Sequence, residues 1–537
     1  MERTWSPYQE AIFRAITTPN GGNLIVEAVA GSGKSTTLVE ACGRTRGYSH
    51  VMLAFNKSVA EELKSRGVNG KTFHSACYSP VTRARGAPGV ESNKLRMLCS
   101  EHMSRNDDFL YGSFACRLVG LARQGGVGCL VPDTIDIWNH MIEHHDLELD
   151  NEGATYERAV ELARDLLTWS NASHLVDFDD LLYFAVKDNI KLPQFDFVFV
   201  DEAQDTNMIQ RTLLRKMMKP TSRLIAVGDP AQAIYGFRGS DSGSLGLIAK
   251  EFFARTLPLT VSYRCGTDIV KYARQWVSHI EAAPGAPSGE VRKMGKEWKT
   301  SMFGKNDLVV CRTTKPLITL AYRLMKDRIP AKILGRDIGA GLASLIKKQK
   351  CNDIDELLVK IEAWAYREVE KAMAKKMDSK AEAQQDKADA IICLADTLPE
   401  GGRTIPALLD VIYQLFDDKP GTDCLKLATI HKAKGMEADN VWWLNSSLCP
   451  ARWARKPWQQ EQERNICYVA ATRAKTQLNL IEDGAGKRDF GKEKLEDKEP
   501  QMQQSDAMTD WMNDSEEDNL YPGAETSEDL NPLEGAK

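Results

Sequence analysis

Residues 23–36 read Asn23-Leu-Ile-Val-Glu-Ala-Val-Ala-Gly-Ser-Gly-Lys-Ser-Thr36. Leu24 to Val26 is an apolar run that reads as a short buried strand, Ala28 to Gly33 is small and glycine-rich, and Thr37 to Cys42 has helical character. Strand, glycine-rich turn and helix form the setting of a phosphate-binding loop. In such a loop the backbone N–H groups of the turn (Ala30, Gly31, Ser32, Gly33) and of the helix start (Lys34, Ser35, Thr36) point at phosphate oxygens. Lys34 can reach the β/γ-phosphates and Ser35 can hold Mg²⁺, so ATP-type nucleotide and magnesium are the expected cofactors. Ala28 stands where the pattern G-x-x-x-x-G-K-[ST] has its first glycine. A chance glycine-rich turn is the alternative reading, and the G-K-S-T core in this setting argues against it.

The rest of the chain must say what the nucleotide is used for. A length of 537 residues suggests several domains, and 42% hydrophobic with 27% charged residues describes an ordinary water-soluble protein. The net charge of −5 hides an asymmetry: residues 501–537 hold ten acidic side chains and one basic one, which leaves about +4 on residues 1–500. A mildly basic body permits a nucleic-acid track. The twelve cysteines are scattered without a C-x-x-C, which suits reduced thiols in a cytosolic compartment. The first residues lack an apolar signal core and no run approaches a membrane span, so a cytoplasmic protein without membrane contact is expected.

Trp5 to Ile16 reads as a helix capped by Ser6 with Pro7 in its first turn, and it carries Gln9, whose amide reads either an adenine edge or bulk water. His50 to Phe55 and Gly70 to His74 read as further strands, each ending in polar residues, where open α/β sheets place ligands. Helical periodicity dominates from about Pro80 to Ser173. Phe195 to Val200 then forms a strand that runs directly into Asp201 and Glu202. A buried strand ending in two carboxylates is costly unless a cation meets them. Asp201 would serve Mg²⁺, and Glu202 would orient or deprotonate the attacking water. The strand from Arg223 leads to Gln232, placed to sense a γ-phosphate, and to Tyr235 and Phe237 on a polar loop. Those two aromatics either stack on bases or pin the loop to the core. Thr260 to Cys265 closes the first lobe, and Ala282 to Gly289 reads as a linker. A second set of strands is expected from Asp307, with a solvated helix pair over Ile354 to Lys387 and strands at Cys424–Ile430, Asn440–Leu444 and Gln477–Ile481. Beyond about Gly484 a disordered acidic tail is expected.

The motifs A-G-S-G-K-S-T, D-E-A-Q-D-T-N, V-G-D-P-A-Q-A-I-Y-G-F-R-G, T-I-H-K-A-K-G-M-E and Y-V-A-A-T-R-A stand in the order found in one family. The chain resembles superfamily 1 DNA helicases of the UvrD/Rep/PcrA group, with L-A-F-N-K-S and K-T-F-H-S similar to the branch containing the F-box DNA helicase. The family's loop also lacks the first glycine. The resemblance implies an α/β fold of two RecA-like parallel-sheet lobes, each interrupted by a mostly helical insertion. The first lobe would hold residues 1–80 and 174–280, with the insertion at 81–173. The second would hold 290–338 and 421–483, with a short insertion at 339–420 and the tail at 484–537.

Residue by residue, the resemblance implies that Gln9 reads adenine, Tyr263 stacks on it, and Glu437 contacts the ribose or phosphate region. Lys34, Glu202, Gln232, Arg264 and Arg473 would be catalytic, the two arginines reaching the γ-phosphate, with Ser35 and Asp201 on Mg²⁺. Phe55, Asn56, His74, Tyr235, Phe237, Arg238, Thr429 and His431 would contact single-stranded DNA. The expected activity is ATP-dependent 3′→5′ movement along single-stranded DNA with duplex unwinding. The expected partners are single-stranded and partly duplex DNA, with a basic or DNA-processing protein as a further partner of the acidic tail. Two alternatives stand beside it: a translocase that strips proteins without unwinding, and a P-loop ATPase or kinase indifferent to DNA.

Overall fold

The computed structural model describes residues 4–145, 147, 149, 151, 153–234, 243–374, 378–416 and 424–482. Two six-stranded parallel sheets organise it. The first contains β1 (Leu24–Ala28), β2 (His50–Ala54), β3 (Gly70–Thr72), β4 (Phe195–Val200), β5 (Met218–Gly228) and β6 (Arg255–Leu259), in the order β3-β2-β4-β5-β1-β6. A two-stranded ribbon follows, β7 (Val261–Ser262) beside β8 (Glu281–Ala282). The second sheet contains β9 (Glu290–Gly295), β10 (Leu308–Cys311), β11 (Ala331–Ile333), β12 (Leu425–Thr429), β13 (Ala438–Leu444) and β14 (Ala474–Ile481), in the order β11-β12-β10-β13-β14-β9. The central strands carry buried apolar runs, 24–26 in β1, 197–200 in β4, 224–227 in β5, 308–311 in β10 and 441–444 in β13, as a sheet covered by helices on each side requires.

Each sheet is assembled from two chain segments separated by helices. Helices from Phe73–Arg85 to Phe178–Lys187 lie between β3 and β4, and those from Arg336–Lys348 to Ile405–Leu415 lie between β11 and β12. The two-lobed α/β architecture expected from the motifs is therefore present.

Several elements differ from the sequence reading. His74 begins the helix Phe73–Arg85 rather than ending a strand, because the Thr72 and Ser75 side chains form a reciprocal cap there. That helix carries Pro80 in its interior and runs across the expected boundary at residue 80. The edge strands β6 and β9 went unread: Pro258 interrupts one pattern, and Glu290, Arg292 and Lys293 make the other polar. Charged edges protect a sheet from further pairing, and they also hide it from a hydrophobicity reading. The Ile354–Lys387 region is a helix pair, Ile354–Ala374 and Asp378–Ala395, but it is not merely solvated. Leu357, Ile361, Ala388, Ile391 and Leu394 enter the core that also contains Leu317 and Leu425.

A third apolar cluster spans both lobes. It joins Val29, Ala30 and Ile234 of the first to Val310, Ala428, Trp443 and Tyr468 of the second. The stretch Cys265 to Ile280, expected in the first lobe, supplies Cys265, Ile269, Val270, Ala273, Val277 and Ile280 to this shared cluster. The backbone agrees, since Gly266 N–H donates to the Lys475 carbonyl at 2.8 Å. All twelve cysteines are free thiols. Among the described residues no helix is long and apolar enough to cross a membrane. The acidic tail, Tyr235, Phe237 and Arg238 lie outside the described residues.

Candidate functional site

The turn after β1 is shaped by glycines where the backbone demands them. Gly31 and Gly33 have φ of 71° and 80°, in the left-handed region. A Cβ on Gly31 would sit 2.4 Å from the Arg264 Cβ and 2.8 Å from the Ser262 Oγ. The following helix, Lys34–Arg44, has Gly33 as its N-cap, so no side chain satisfies its first N–H groups. Ser32 is fully buried, and its Oγ has no hydrogen-bond partner among the described residues. An uncapped helix start, a lysine and an orphaned buried hydroxyl are a donor set that fits phosphate.

Two carboxylates face this turn from the end of β4. Ser35 Oγ donates to Asp201 Oδ2 at 2.6 Å. Burial, then the neighbouring Glu202 charge, pushes the Asp201 carboxyl up to about 6. A hydroxyl and a carboxylate side by side are hard oxygen donors suited to Mg²⁺, whose remaining ligands come from phosphate and water. Glu202 adopts φ 52°, a strained conformation for a side chain of its size. Its Oε1 lies 3.6 Å from Lys34 Nζ, and its Oε2 accepts from the Gln204 amide. Burial raises its pKa, but Lys34, Lys434, the Gln204 hydrogen bond and Arg473 outweigh that and hold it down to about 2. Gln204 reaches in the other direction to accept from Asp229 N–H at 3.0 Å, and it passes so close to β5 that a Cβ on Gly228 would sit 2.5 Å from its Oε1.

The second lobe enters at the end of the helix Pro457–Ala471. Arg473 is 1% exposed, and its guanidinium donates to the Val469 carbonyl at 2.9 Å, the Met436 carbonyl at 3.0 Å and the Gln232 Oε1 at 3.5 Å. Burial, then the nearby Arg264, lowers its pKa to about 9, which leaves it cationic at neutral pH. Gln232 also donates to Asp229 Oδ2 at 2.6 Å. Arg264 donates through Nε to Glu437 Oε2 at 2.7 Å and through Nη1 to the Thr472 carbonyl at 3.3 Å. Glu437 holds Lys475 as well, at 2.9 Å. Lys34, Asp201, Glu202, Gln232, Arg264, Glu437 and Arg473 thus converge from two lobes on one place.

Gln9 sits beside the turn, but its amide is already engaged. Its Oε1 accepts from Ser6 N–H at 3.0 Å in a capping box, and its Nε2 donates to Thr37 Oγ1 at 3.0 Å. These two bonds orient the amide and leave its second N–H and second lone pair for an adenine edge. The Tyr263 ring is half exposed, and its backbone N–H donates to the Gly31 carbonyl at 2.8 Å, which fixes the ring next to the turn.

The DNA-contact candidates lie elsewhere on the sheets. Phe55 and Asn56 follow β2, His74 follows β3, and Thr429 and His431 lie at the end of β12 and just beyond. The nucleotide candidates follow β1, β4 and β5 in one sheet and flank β13 and β14 in the other. The first sheet therefore divides the two sets along its carboxyl edge, whereas in the second Glu437 and Arg473 stand at the amino ends of β13 and β14 and Thr429 and His431 at the carboxyl end of β12. Phe55 is exposed, and the Asn56 side chain caps the next helix by accepting from Val59 N–H at 2.9 Å. Burial pushes the His74 imidazole down to about 4, so at neutral pH it can stack or share a hydrogen bond but adds no positive charge.

The sequence reading missed several residues of this site. Lys434 forms a buried ion pair across the lobes with Asp205, 2.6 Å apart. Burial nevertheless pushes the Asp205 carboxyl up to about 6. Tyr468, Asn465 and Gln462 also cross between the lobes. Tyr468 and Lys434 stood inside quoted motifs, yet spacing alone could not pair either with a residue hundreds of positions away.

The fold and this convergence define a two-lobed P-loop protein whose nucleotide-binding candidates are split between the lobes. The UvrD/REP helicase N-terminal domain matches residues 134–252, and the UvrD-like helicase C-terminal domain matches residues 404–483. F-box DNA helicase protein 1 of Schizosaccharomyces pombe is 25% identical over 88% of this chain and 58% of its own length. The ATP-dependent DNA helicases PcrA of Staphylococcus epidermidis and Staphylococcus aureus are 24% and 25% identical over 48% of this chain and 38% of theirs. The chain spans little more than half the length of the first of these relatives and less of the others. The chain thus carries matches to both UvrD-type helicase domains and is similar to DNA helicases of the PcrA and F-box kinds.

Proposed function

We propose that the chain is an ATP-driven motor that moves 3′→5′ along single-stranded DNA and separates the duplex ahead of it. The observation that carries this reading is the meeting of Arg473 with Gln232 at 3.5 Å, beside the Lys34–Glu202 pair. A catalytic set completed only by both lobes ties chemistry to lobe position, which is what a motor needs. The polarity rests on the family likeness.

Lys34, Ser35 and the N–H groups of residues 30–36 would hold the phosphates, with Ser35 and Asp201 holding Mg²⁺. The metal would neutralise charge on the phosphates. Glu202, kept ionised, would orient the attacking water and receive its proton at a carboxylate oxygen. Its present partner Lys34 is the same group that phosphate would claim, so binding would loosen Glu202 and raise its proton affinity. Arg264 and Arg473 would stabilise charge on the transferred group only while the lobes are closed. Reopening would then shift the grip of the DNA-facing edges. The test is unwinding of tailed duplexes of both polarities beside an ATPase assay. Strand displacement only from a 3′ tail is expected. Translocation without displacement would return the protein to the stripping class, and ATP turnover indifferent to DNA would end the motor reading.

A further inference from the structure

The helix Pro457–Ala471 touches the first lobe through more than Arg473. Three side chains spaced by three residues, Gln462, Asn465 and Tyr468, form one stripe along it. Gln462 donates through Nε2 to the Ile234 carbonyl at 2.6 Å. Asn465 donates through Nδ2 to the carbonyls of Pro230 at 3.2 Å and Ala233 at 3.0 Å. Tyr468 is fully buried, and its hydroxyl accepts the Ala30 N–H of the glycine turn at 2.9 Å. The opposite side of the helix is fastened to its own lobe. Glu463 takes Arg312 at 2.7 Å and the Ala451 N–H at 2.9 Å.

The two backbone segments gripped in this way are chemically pointed. Pro230–Gln232 is a single turn of tight helix that carries Gln232, and among the described residues the Gln232 amide is held by Asp229 and Arg473. Ala30 opens the turn that leads to Lys34. We infer that Gln462, Asn465 and Tyr468 are positioning residues: they fix the Gln232 turn and the phosphate turn to the second lobe, so the first lobe's catalytic groups are aligned only when that lobe is docked. This rests on the proposed motor function, and it assigns the coupling to backbone contacts in addition to the arginine. An arginine alone would report closure by its own charge. The stripe makes closure also set where Gln232 and the turn stand.

The full chain with Asn465→Ala, Gln462→Ala and Tyr468→Phe, singly and combined, would be assayed for ATP turnover with and without single-stranded DNA, for binding of a fluorescent ATP analogue, and for thermal midpoint. We expect kcat with DNA to fall about ten- to hundredfold in the combined variant, with KM for ATP and analogue binding within about twofold of wild type. The stimulation by DNA should shrink more than the basal rate. Unchanged DNA-stimulated kcat in the combined variant would overturn the inference. So would a loss of kcat matched by a lost thermal midpoint and equal weakening of analogue binding, since that is the signature of a merely structural stripe. A wild-type protein that ignores DNA would instead remove the motor reading itself, which separates the two failures.

Discussion

At the scale of single residues, Lys34 and Glu202 restrain each other across 3.6 Å. Lys34→Ala removes the main opponent of burial at Glu202 together with the proposed phosphate contact. Hydrolysis should disappear while binding of single-stranded DNA survives, measured by steady-state turnover and by fluorescence anisotropy on a labelled oligonucleotide. Arg473→Ala deletes a buried cation from the closed cleft. Turnover should drop by about 10³ or more with nucleotide affinity much less affected. Normal turnover in that variant would remove the second lobe from the chemistry. His74 gives a pH signature. Its pKa is lowered in the folded chain to about 4, so between that value and the ordinary imidazole range the unfolded chain binds the extra proton. Stability should therefore fall as pH drops through this window, and His74→Gln should flatten the fall in a denaturation series. The variant's effect on DNA affinity should also be equal at pH 6 and pH 8, because the imidazole is neutral at both.

At the scale of elements, the glycine turn was the most legible part of the chain, since its strand, glycines, lysine and serine are consecutive in sequence; the contacts from Tyr263, Arg264 and Tyr468 that also shape it were not legible. Its strand, its left-handed glycines and its uncapped helix all follow from residues 23–36. Gly31→Ala tests that geometry. The φ of 71° costs an alanine about 1–3 kcal/mol, and the contact with Arg264 adds to it, so a lower thermal midpoint and lost nucleotide binding are expected together. Less legible were elements whose exposed faces dominate their composition. The pair Ile354–Ala374 and Asp378–Ala395 reads as charged because most of its surface is wet, while its buried stripe is thin and rich in alanine. Strand β9 is polar because it is an edge. Asn465 and Gln462 carry no sequence signal of contact, and the packing of the two lobes shows that their amides point at carbonyls.

At the scale of the molecule, the two α/β lobes were expected from motif order. The shared apolar cluster around Val29, Ile234 and Cys265–Ile280 was not, because none of its residues carries chemistry that a motif would mark. The interlobe pair Asp205–Lys434 belongs to the same category. It is buried on both sides, so removing one partner strands a charge, and Lys434→Met should destabilise the docked lobes by about 3–5 kcal/mol in chemical denaturation. The acidic tail bears on the whole charge balance. Deleting residues 501–537 takes away ten acids and one base. If that segment only solvates, the salt dependence of DNA affinity will be unchanged; a stronger affinity at low salt would show that it competes with DNA for the basic body.

The passage from β8 to β9 is short, residues 283–289, and it joins the halves of the site within one polypeptide. Lys34 and Arg473 therefore meet as tethered groups, at an effective concentration on the order of millimolar that no dilution of the protein can lower. Closure is a property of each molecule rather than of the solution. With DNA saturating, turnover per chain should stay level as the protein is diluted.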